Sequence, residues 1–318
     1  VIGVGFLYMA TGTLNMADLA DRIENQYDSR TVPAAFAFIM VGMGLKVAIF
    51  PLHLWLPNAY TYAPSAITSF LAATATKVAI YVMLRFLFSV FQPGFLAEVP
   101  TLDLILYPFA ILAMFAASYT AILQRDLKRM LAYSSIGQVG YMLLGIALLS
   151  ESGLMATMIH LFNHGITKAA LFMGVGVDVL NGGGSFYHNL RGRGKTMPWT
   201  SAAMVVAGLS LIGVPGTAGF LSKWLLVEAT LEQGLWPIAL LIVASSLLAV
   251  IYVWKLIETL YLAQPAEGLQ DQNVPLMMMI PLWVMALACI YFGFDTDITL
   301  SAARSAAEGL LAGSAGMR

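Results

Sequence analysis

Long apolar segments follow one another along almost the whole chain, and short polar segments separate them. An α-helix needs roughly 20 apolar residues to cross the ~30 Å hydrocarbon layer of a membrane. The pattern therefore predicts an all-α polytopic membrane protein with a transmembrane domain at 1–294, made of about nine helices, and an interfacial tail at 295–318. The predicted membrane segments, of which the first is partial, are 1–12, 33–52, 63–91, 102–123, 128–149, 153–180, 198–231, 236–263 and 274–294.

Proline interrupts two of these segments. The segment 33–52 reaches Pro51 shortly after Lys46, and the segment 198–231 contains Val214-Pro215-Gly216. A break at membrane depth persists only where protein or a water-filled cavity covers it, and broken helices recur at ion sites in transporters. A kink without function is the alternative, but a lysine near each break favours an ion site.

Basic residues are concentrated in two loops that alternation places on one side of the membrane, at 124–129 and 188–195. An uncharged turn near 54–62 and an acidic loop at 264–273 are predicted on the same side. The two basic loops carry Arg125, Lys128, Arg129, Arg191, Arg193 and Lys195, whereas the opposite loops carry Arg22 and Arg30. The excess of basic residues predicts that the first side is cytoplasmic.

The composition agrees with a membrane protein, since 59% of the residues are hydrophobic and 10% are charged, against roughly 25% charged in soluble domains. The net charge of −1 gives no electrostatic reason to expect nucleic acid. A single cysteine excludes a disulfide framework and a four-thiolate metal site. The sequence begins at Val1 inside an apolar segment, without the features of a signal peptide, so we expect an N-terminally truncated bundle whose earlier helices precede Val1.

Five of the seven lysines lie within the predicted membrane helices. A charge at the centre of a bilayer costs about 3 kcal/mol or more, so these positions need a reason. Lysine can give up its proton when it is buried, whereas arginine stays charged. The pattern indicates a protein that moves protons or cations. The five are Lys46, Lys77, Lys168, Lys223 and Lys255.

One predicted helix carries an ordered basic series, His160, His164 and Lys168. A spacing of four residues keeps the three side chains on one helix face over ~12 Å. Histidine titrates nearest neutral pH, so such a series can pass protons. Zinc binding and simple packing are the alternatives, but no third zinc ligand is evident. We predict a proton relay without a metal.

Two further charged positions have simpler interpretations. Lys255 and Glu258 are three residues apart, and this spacing predicts a local ion pair within the helix. Asp178 lies near a predicted helix end, where we expect it at the membrane interface.

Several motifs together resemble the proton-conducting antiporter-like subunits of Mrp-type cation/proton antiporters, respiratory complex I and membrane-bound hydrogenases. The most specific runs from Lys46 through Pro51-Leu-His53-Leu-Trp55-Leu-Pro57 to Lys77. The other similar segments are 126–135, the histidine helix and 219–223. The residues at 58–64, 197–200 and 210–216 resemble the D-type subunit of the Mrp antiporters most closely.

The resemblance implies an antiporter-like bundle of two inverted repeats, each with a broken helix. Lys46 matches the lysine of the first broken helix, and Lys77 matches the connecting lysine one helix on. His160 and His164 match the central relay, and Lys223 matches the lysine of the second broken helix.

Two departures accompany this assignment. The family pairs its first lysine with a glutamate on an earlier helix, which we expect before Val1. Gln138 stands where some relatives carry histidine, so a side branch of the relay is expected to be absent.

The resemblance implies a transporter component, rather than an enzyme, that couples inward proton flow to outward movement of sodium or another monovalent cation in the cell (inner) membrane. A proton-pumping subunit of a complex I-type NADH:quinone oxidoreductase or membrane-bound hydrogenase is the alternative. A purely structural membrane scaffold is a third hypothesis. The expected partners are other membrane subunits, protons, monovalent cations and lipid, without a cofactor or nucleic acid.

Overall fold

The computed structural model describes residues 1–24, 26, 29–99, 101–264 and 274–312. π-Helical segments at Arg85–Val90, Ala113–Ala117 and Glu258–Leu262 continue the helices that precede them. The α-helices are α1 (Ile2–Thr11), α2 (Met16–Glu24), α3 (Thr31–Val47), α4 (Trp55–Tyr62), α5 (Ser65–Leu84), α6 (Gln92–Glu98), α7 (Thr101–Leu112), α8 (Ser118–Leu123), α9 (Leu127–Ala147), α10 (Glu151–Leu180), α11 (Arg193–Thr196), α12 (Pro198–Ile212), α13 (Ala218–Glu232), α14 (Trp236–Ile257), α15 (Leu276–Phe294) and α16 (Asp297–Leu311).

The polytopic all-α class is confirmed. Within the described residues, five helices are long and apolar enough to cross a membrane, and α1, α3 and α12 are shorter apolar helices. Each predicted membrane segment has a helical counterpart. The five long helices are Ser65–Val90, Ile105–Leu123, Leu127–Ala147, Trp236–Leu262 and Leu276–Phe294.

The division into a membrane domain and an interfacial tail stays a prediction. The tail contains α16, which packs against α10. Residues 313–318 of the predicted tail and 265–273 of the predicted acidic loop lie outside the described residues.

Helix α10 lies at the centre of the bundle. It runs for 30 residues, and the Ser150 Oγ atom caps its start by accepting the Gly153 N–H at 3.1 Å. It packs against α5, α9, α12, α13, α15 and α16. The neighbouring α9 is buried along almost its whole length. Polar side chains on these two helices therefore face protein rather than lipid.

The second predicted break is confirmed. Helix α12 ends at Ile212, the chain reverses at Gly213 with a left-handed φ of 90°, and α13 begins at Ala218. The carbonyl oxygens in the last turn of α12 have no further helical N–H to accept. The break therefore presents backbone acceptors inside the bundle.

The first break is confirmed in place, but one prediction beside it is wrong. Helix α3 ends at Val47, and the predicted turn near 54–62 is instead helix α4. Pro57 falls in the first turn of α4, where a missing N–H removes no intrahelical hydrogen bond. The Trp55 indole N–H donates to the Leu45 carbonyl oxygen at 2.7 Å and ties the two halves together.

The two basic loops lie on one side of the bundle, as predicted. The Leu127 N–H donates to the Ser185 carbonyl oxygen at 2.7 Å, and the Tyr187 N–H donates to the Arg125 carbonyl oxygen at 3.1 Å. These bonds join the loop before α9 to the loop after α10. That this side is cytoplasmic stays a prediction.

We expect Gly219→Ala to destabilise the chain, because α12 and α13 approach closely at this residue. A Cβ atom there would overlap the Ser210 carbonyl oxygen, so the two helices would have to separate. Overpacking of a tight contact costs about 1–3 kcal/mol. Thermal unfolding in detergent measures the effect. Gly42→Ala is the matched control, since its Cβ would meet nothing within 4 Å. Equal stability of the two variants would contradict the prediction.

Candidate functional site

The basic series on α10 is buried inside the bundle. His160, His164 and Lys168 are 5%, 3% and 0% exposed. The two imidazole rings are nearly parallel, with an interplanar angle of 4° and centroids 6.1 Å apart. The helical spacing that suggested a relay therefore produces one continuous polar face within protein.

Most ring nitrogens of the two histidines lack a hydrogen-bond partner among the described residues. The His160 Nδ1 atom lies 2.8 Å from the Ser222 hydroxyl on α13. The His160 Nε2 atom and both ring nitrogens of His164 are buried without a hydrogen-bond partner among the described residues. A neutral imidazole offers one donor and one acceptor nitrogen, and which is which depends on the tautomer. These rings can therefore take up a proton at one nitrogen and release it from the other.

Lys168 belongs to the same buried row, as its place in the basic series predicted, although the family resemblance assigned it no role. Its Nζ atom donates to the Ser134 hydroxyl at 2.5 Å and to the Leu131 carbonyl oxygen at 2.8 Å, both on α9. Its spacing of four residues from His164 on α10 is enough to predict that it shares the polar face. Ser134 gave no comparable signal, because only the packing of α9 on α10 brings it to the amine.

Lys223 binds the end of the broken helix. Its Nζ atom donates to the carbonyl oxygens of Leu211 at 3.1 Å and Ile212 at 2.7 Å, in the last turn of α12. The partial negative charge at a helix C-terminus stabilises a cation. The amine is thus held between the second break and the histidines, with Ser222 next to it in sequence and bonded to His160.

Lys77 approaches the row from α5. It is 6% exposed, and its Nζ atom donates to the Ala72 carbonyl oxygen. It lines a cavity of about 700 Å³ between α5 and α10, together with Gly165 and Ala169 of α10. The row therefore connects α5, α10 and α13 across the interior of the bundle.

Lys46 lies apart from the other predicted site residues. Its side chain is exposed in the last turn of α3, and it has no hydrogen bond or ion pair within the described part of the chain. It lines a crevice of about 480 Å³ between α3 and α5, beside Trp55 and Val78. Its role in the relay stays a prediction.

The buried row has no acidic partner within 4 Å among the described residues. Within the described residues, ion pairs join Arg22 to Asp18 and Arg193 to Asp178, and neither pair includes a member of the row. Buried like charges raise each other's free energy because little solvent screens them. A positive charge on one amine or imidazole of the row therefore makes a positive charge on the others less favourable. A proton bound at one group favours release from the next.

Asp178 lies near the end of α10, as predicted, and is 1% exposed, with Oδ1 3.8 Å from the Arg193 Nε atom. That this position is at the membrane interface stays a prediction. One minor prediction is wrong. Lys255 does not pair with Glu258. Its Nζ atom donates instead to the carbonyl oxygens of Ile122 at 3.0 Å and Gln124 at 2.7 Å. For both Asp178 and Lys255 the partner lies on a distant part of the chain, which local spacing cannot reveal.

The fold and the site together define a polytopic α-helical membrane protein with broken helices around a buried row of basic side chains. Residues 1–249 match the family described as NADH:quinone oxidoreductase/Mrp antiporter, TM. The chain belongs to this family, which contains the antiporter-like membrane subunits that the sequence motifs predicted.

Relatives of two kinds are similar to the chain. It is 39% identical over 314 residues to the N-type subunit of the NADH-quinone oxidoreductase of Desulforudis audaxviator, covering 95% of this chain and 62% of the relative. It is 31% identical over 300 residues to the D-type subunit of the Na+/H+ antiporter of Alkalihalophilus pseudofirmus, covering 93% and 60%. The chain thus spans about three fifths of the length of these curated relatives.

The fold also matches a solved structure. A chain of the membrane-bound sulfane sulfur reductase, an archaeal respiratory membrane complex, superimposes with a TM-score of 0.88 and 33% identity. The match covers 98% of this chain and 63% of that chain.

Proposed function

We propose that the chain passes protons through the membrane along the buried row Lys77, His164, His160 and Lys223. The observation that carries this proposal is the row itself, titratable groups from three helices buried together without a carboxylate partner among the described residues. Lys168 joins the relay because it shares the polar face of α10. We place Lys46 at one end of the relay, because it lies in the last turn of the broken helix α3.

Charge repulsion drives each step of the proposed mechanism. A proton that arrives at Lys77 raises the cost of a positive charge on His164 and His160, so the proton there moves on toward Lys223. The Ser222 hydroxyl, 2.8 Å from His160 Nδ1, carries the path toward α13. Water bridges the remaining gaps between polar atoms, as it does in other buried polar networks.

Two settings can supply the driving force. In the first, the chain is part of a multisubunit sodium (monovalent cation)/proton antiporter in the cell (inner) membrane, as the similarity to the D-type subunit of the Na+/H+ antiporter suggests. In the second, it is a proton-pumping part of an NADH:quinone oxidoreductase, as the 39% identity to the N-type subunit suggests. Both settings place other membrane subunits around the chain and need no cofactor within it.

Inverted membrane vesicles that contain the chain in its native assembly test the proposal. A pH-sensitive dye reports the proton gradient, and a strain that lacks the chain is the control. In the antiporter setting, added Na+ collapses an existing gradient only when the chain is present. In the oxidoreductase setting, NADH builds a gradient that depends on the chain. If neither response depends on the chain, it is a structural scaffold and the proposal is wrong.

A further inference from the structure

An aromatic ring lies directly against the amine at the second break. The Nζ atom of Lys223 is 5.0 Å from the centroid of the Tyr141 ring, on α9. The same ring lies 5.6 Å, centroid to centroid, from the imidazole of His160. Tyr141 is 2% exposed. It therefore contacts two members of the row that come from different helices.

The hydroxyl group of Tyr141 points away from this contact and is anchored on α14. It lies 2.7 Å from the Ser245 hydroxyl and 3.2 Å from the Ser246 hydroxyl. Each serine donates its own proton to the Ile242 carbonyl oxygen, at 3.0 Å and 3.1 Å. With both serine protons on Ile242, the single tyrosine proton is donated to one of the two hydroxyls, of which that of Ser245 is nearer. That proton is committed to this anchor, and the ring is what Tyr141 offers to Lys223.

We infer that Tyr141 is a positioning residue whose ring face holds the protonated form of Lys223 during proton transfer. The face of an aromatic ring carries partial negative charge and attracts an ammonium group, most strongly where water is excluded. Among the described residues the row has no carboxylate to receive the charge, so the ring and the α12 carbonyls take that role. The inference rests on the proposed function, because it acts through Lys223.

The chain contains a matched pair outside the row. The Nζ atom of Lys255 lies 4.8 Å from the Tyr187 ring centroid, and it also binds two backbone carbonyls. This pair lies beside the basic loops rather than among the histidines. It has the same chemistry as the Lys223 pair, without a place in the proposed relay.

Graded fluorination of the ring separates this role from packing. Tyr141→Phe removes the anchor and keeps the ring, and phenylalanines with one, two and three fluorine atoms then weaken the negative face with little change in shape. Each variant is made in the full assembly, and proton movement is measured in vesicles per assembled complex. We expect Tyr141→Phe to keep at least about half of the rate, and the rate to fall with each fluorine, by about 10-fold in total. The same series at Tyr187 should be flat.

Three results would overturn the inference. A flat series at position 141 would show that the ring acts by packing alone. An equal slope at position 187 would show a general effect of fluorine on the assembly. A complete loss in Tyr141→Phe would assign the role to the hydroxyl. If Lys223→Met is inactive while the series is flat, the proposed relay stands and this inference fails. If Lys223→Met is active, the relay itself is wrong.

Discussion

Lys223→Met should lower proton movement by about 100-fold or more, the range for loss of a residue that transfers a proton, while the complex still assembles. Methionine has a similar length but cannot bind a proton, so the row is interrupted between His160 and the second break. The measurement is the rate of proton movement in vesicles, divided by the amount of assembled complex on a native gel. A rate near that of the unchanged protein would show that the path does not pass through this amine.

Lys255→Met is the matched control for this variant. Both lysines donate to two backbone carbonyl oxygens and lie over a tyrosine ring. Removing either amine leaves those acceptors without a partner, at a cost of about 1–3 kcal/mol. Both variants should therefore unfold at a lower temperature. Lys223→Met alone should stop proton movement, so a loss of transport in both would trace the effect to stability.

His160→Ala and His164→Ala should each stop transfer, and the double variant should lose little more than either single one. Two members of one relay act in series, so the loss of either closes the path and their effects do not multiply. Each single change should cost about 100-fold in the rate of proton movement. His188→Ala, at an exposed position of the 3₁₀ turn Tyr187–Leu190, is the control that should leave the rate unchanged.

The outcome of this series distinguishes a relay from packing. Losses that multiply in the double variant would indicate two independent contributions. Normal rates in all three variants would show that the stacked rings, 6.1 Å apart, only fill space between α10 and its neighbours.

Most of the fold was predictable because the length of an apolar segment in a membrane is set by the thickness of the bilayer. Proline, which interrupts a helix, located both breaks, with the second at Val214-Pro215-Gly216 between α12 and α13. Helix α4 was missed, because the segment 54–62 was predicted only as an uncharged turn between two membrane helices; its Pro57 lies where a helix tolerates proline. Short segments do not have enough apolar periodicity to settle such cases.

Helical spacing predicted the part of the site whose residues share a helix. His160, His164 and Lys168 follow from helical spacing alone. Ser222 and Tyr141 belong to the site only because α13 and α9 pack against α10, and no local pattern carries that information. Lys223 was predicted from its place after the break and from the family motif. Its bonds to the end of α12 explain in physical terms why that place matters.

The buried amines and imidazoles of the row have no carboxylate partner among the described residues, and this most distinguishes the site from a structural ion pair. Arg193 and Asp178 are buried at a separation of 3.8 Å and balance each other's charge. The amines of Lys77, Lys168 and Lys223 bind neutral oxygens, of carbonyl groups or a hydroxyl. Neutral acceptors solvate an ammonium group without cancelling its charge. The charge state of each amine therefore stays responsive to its neighbours, which a proton relay requires.

Proton movement by Lys223→Arg is the measurement that tests the relay most directly. Arginine keeps a positive charge and can still donate to the carbonyl oxygens at the end of α12, but guanidinium does not release its proton. If protons pass through residue 223, the assembled variant should be as inactive as Lys223→Met. A rate near that of the unchanged protein would show that the site needs only a fixed positive charge, and would contradict the relay.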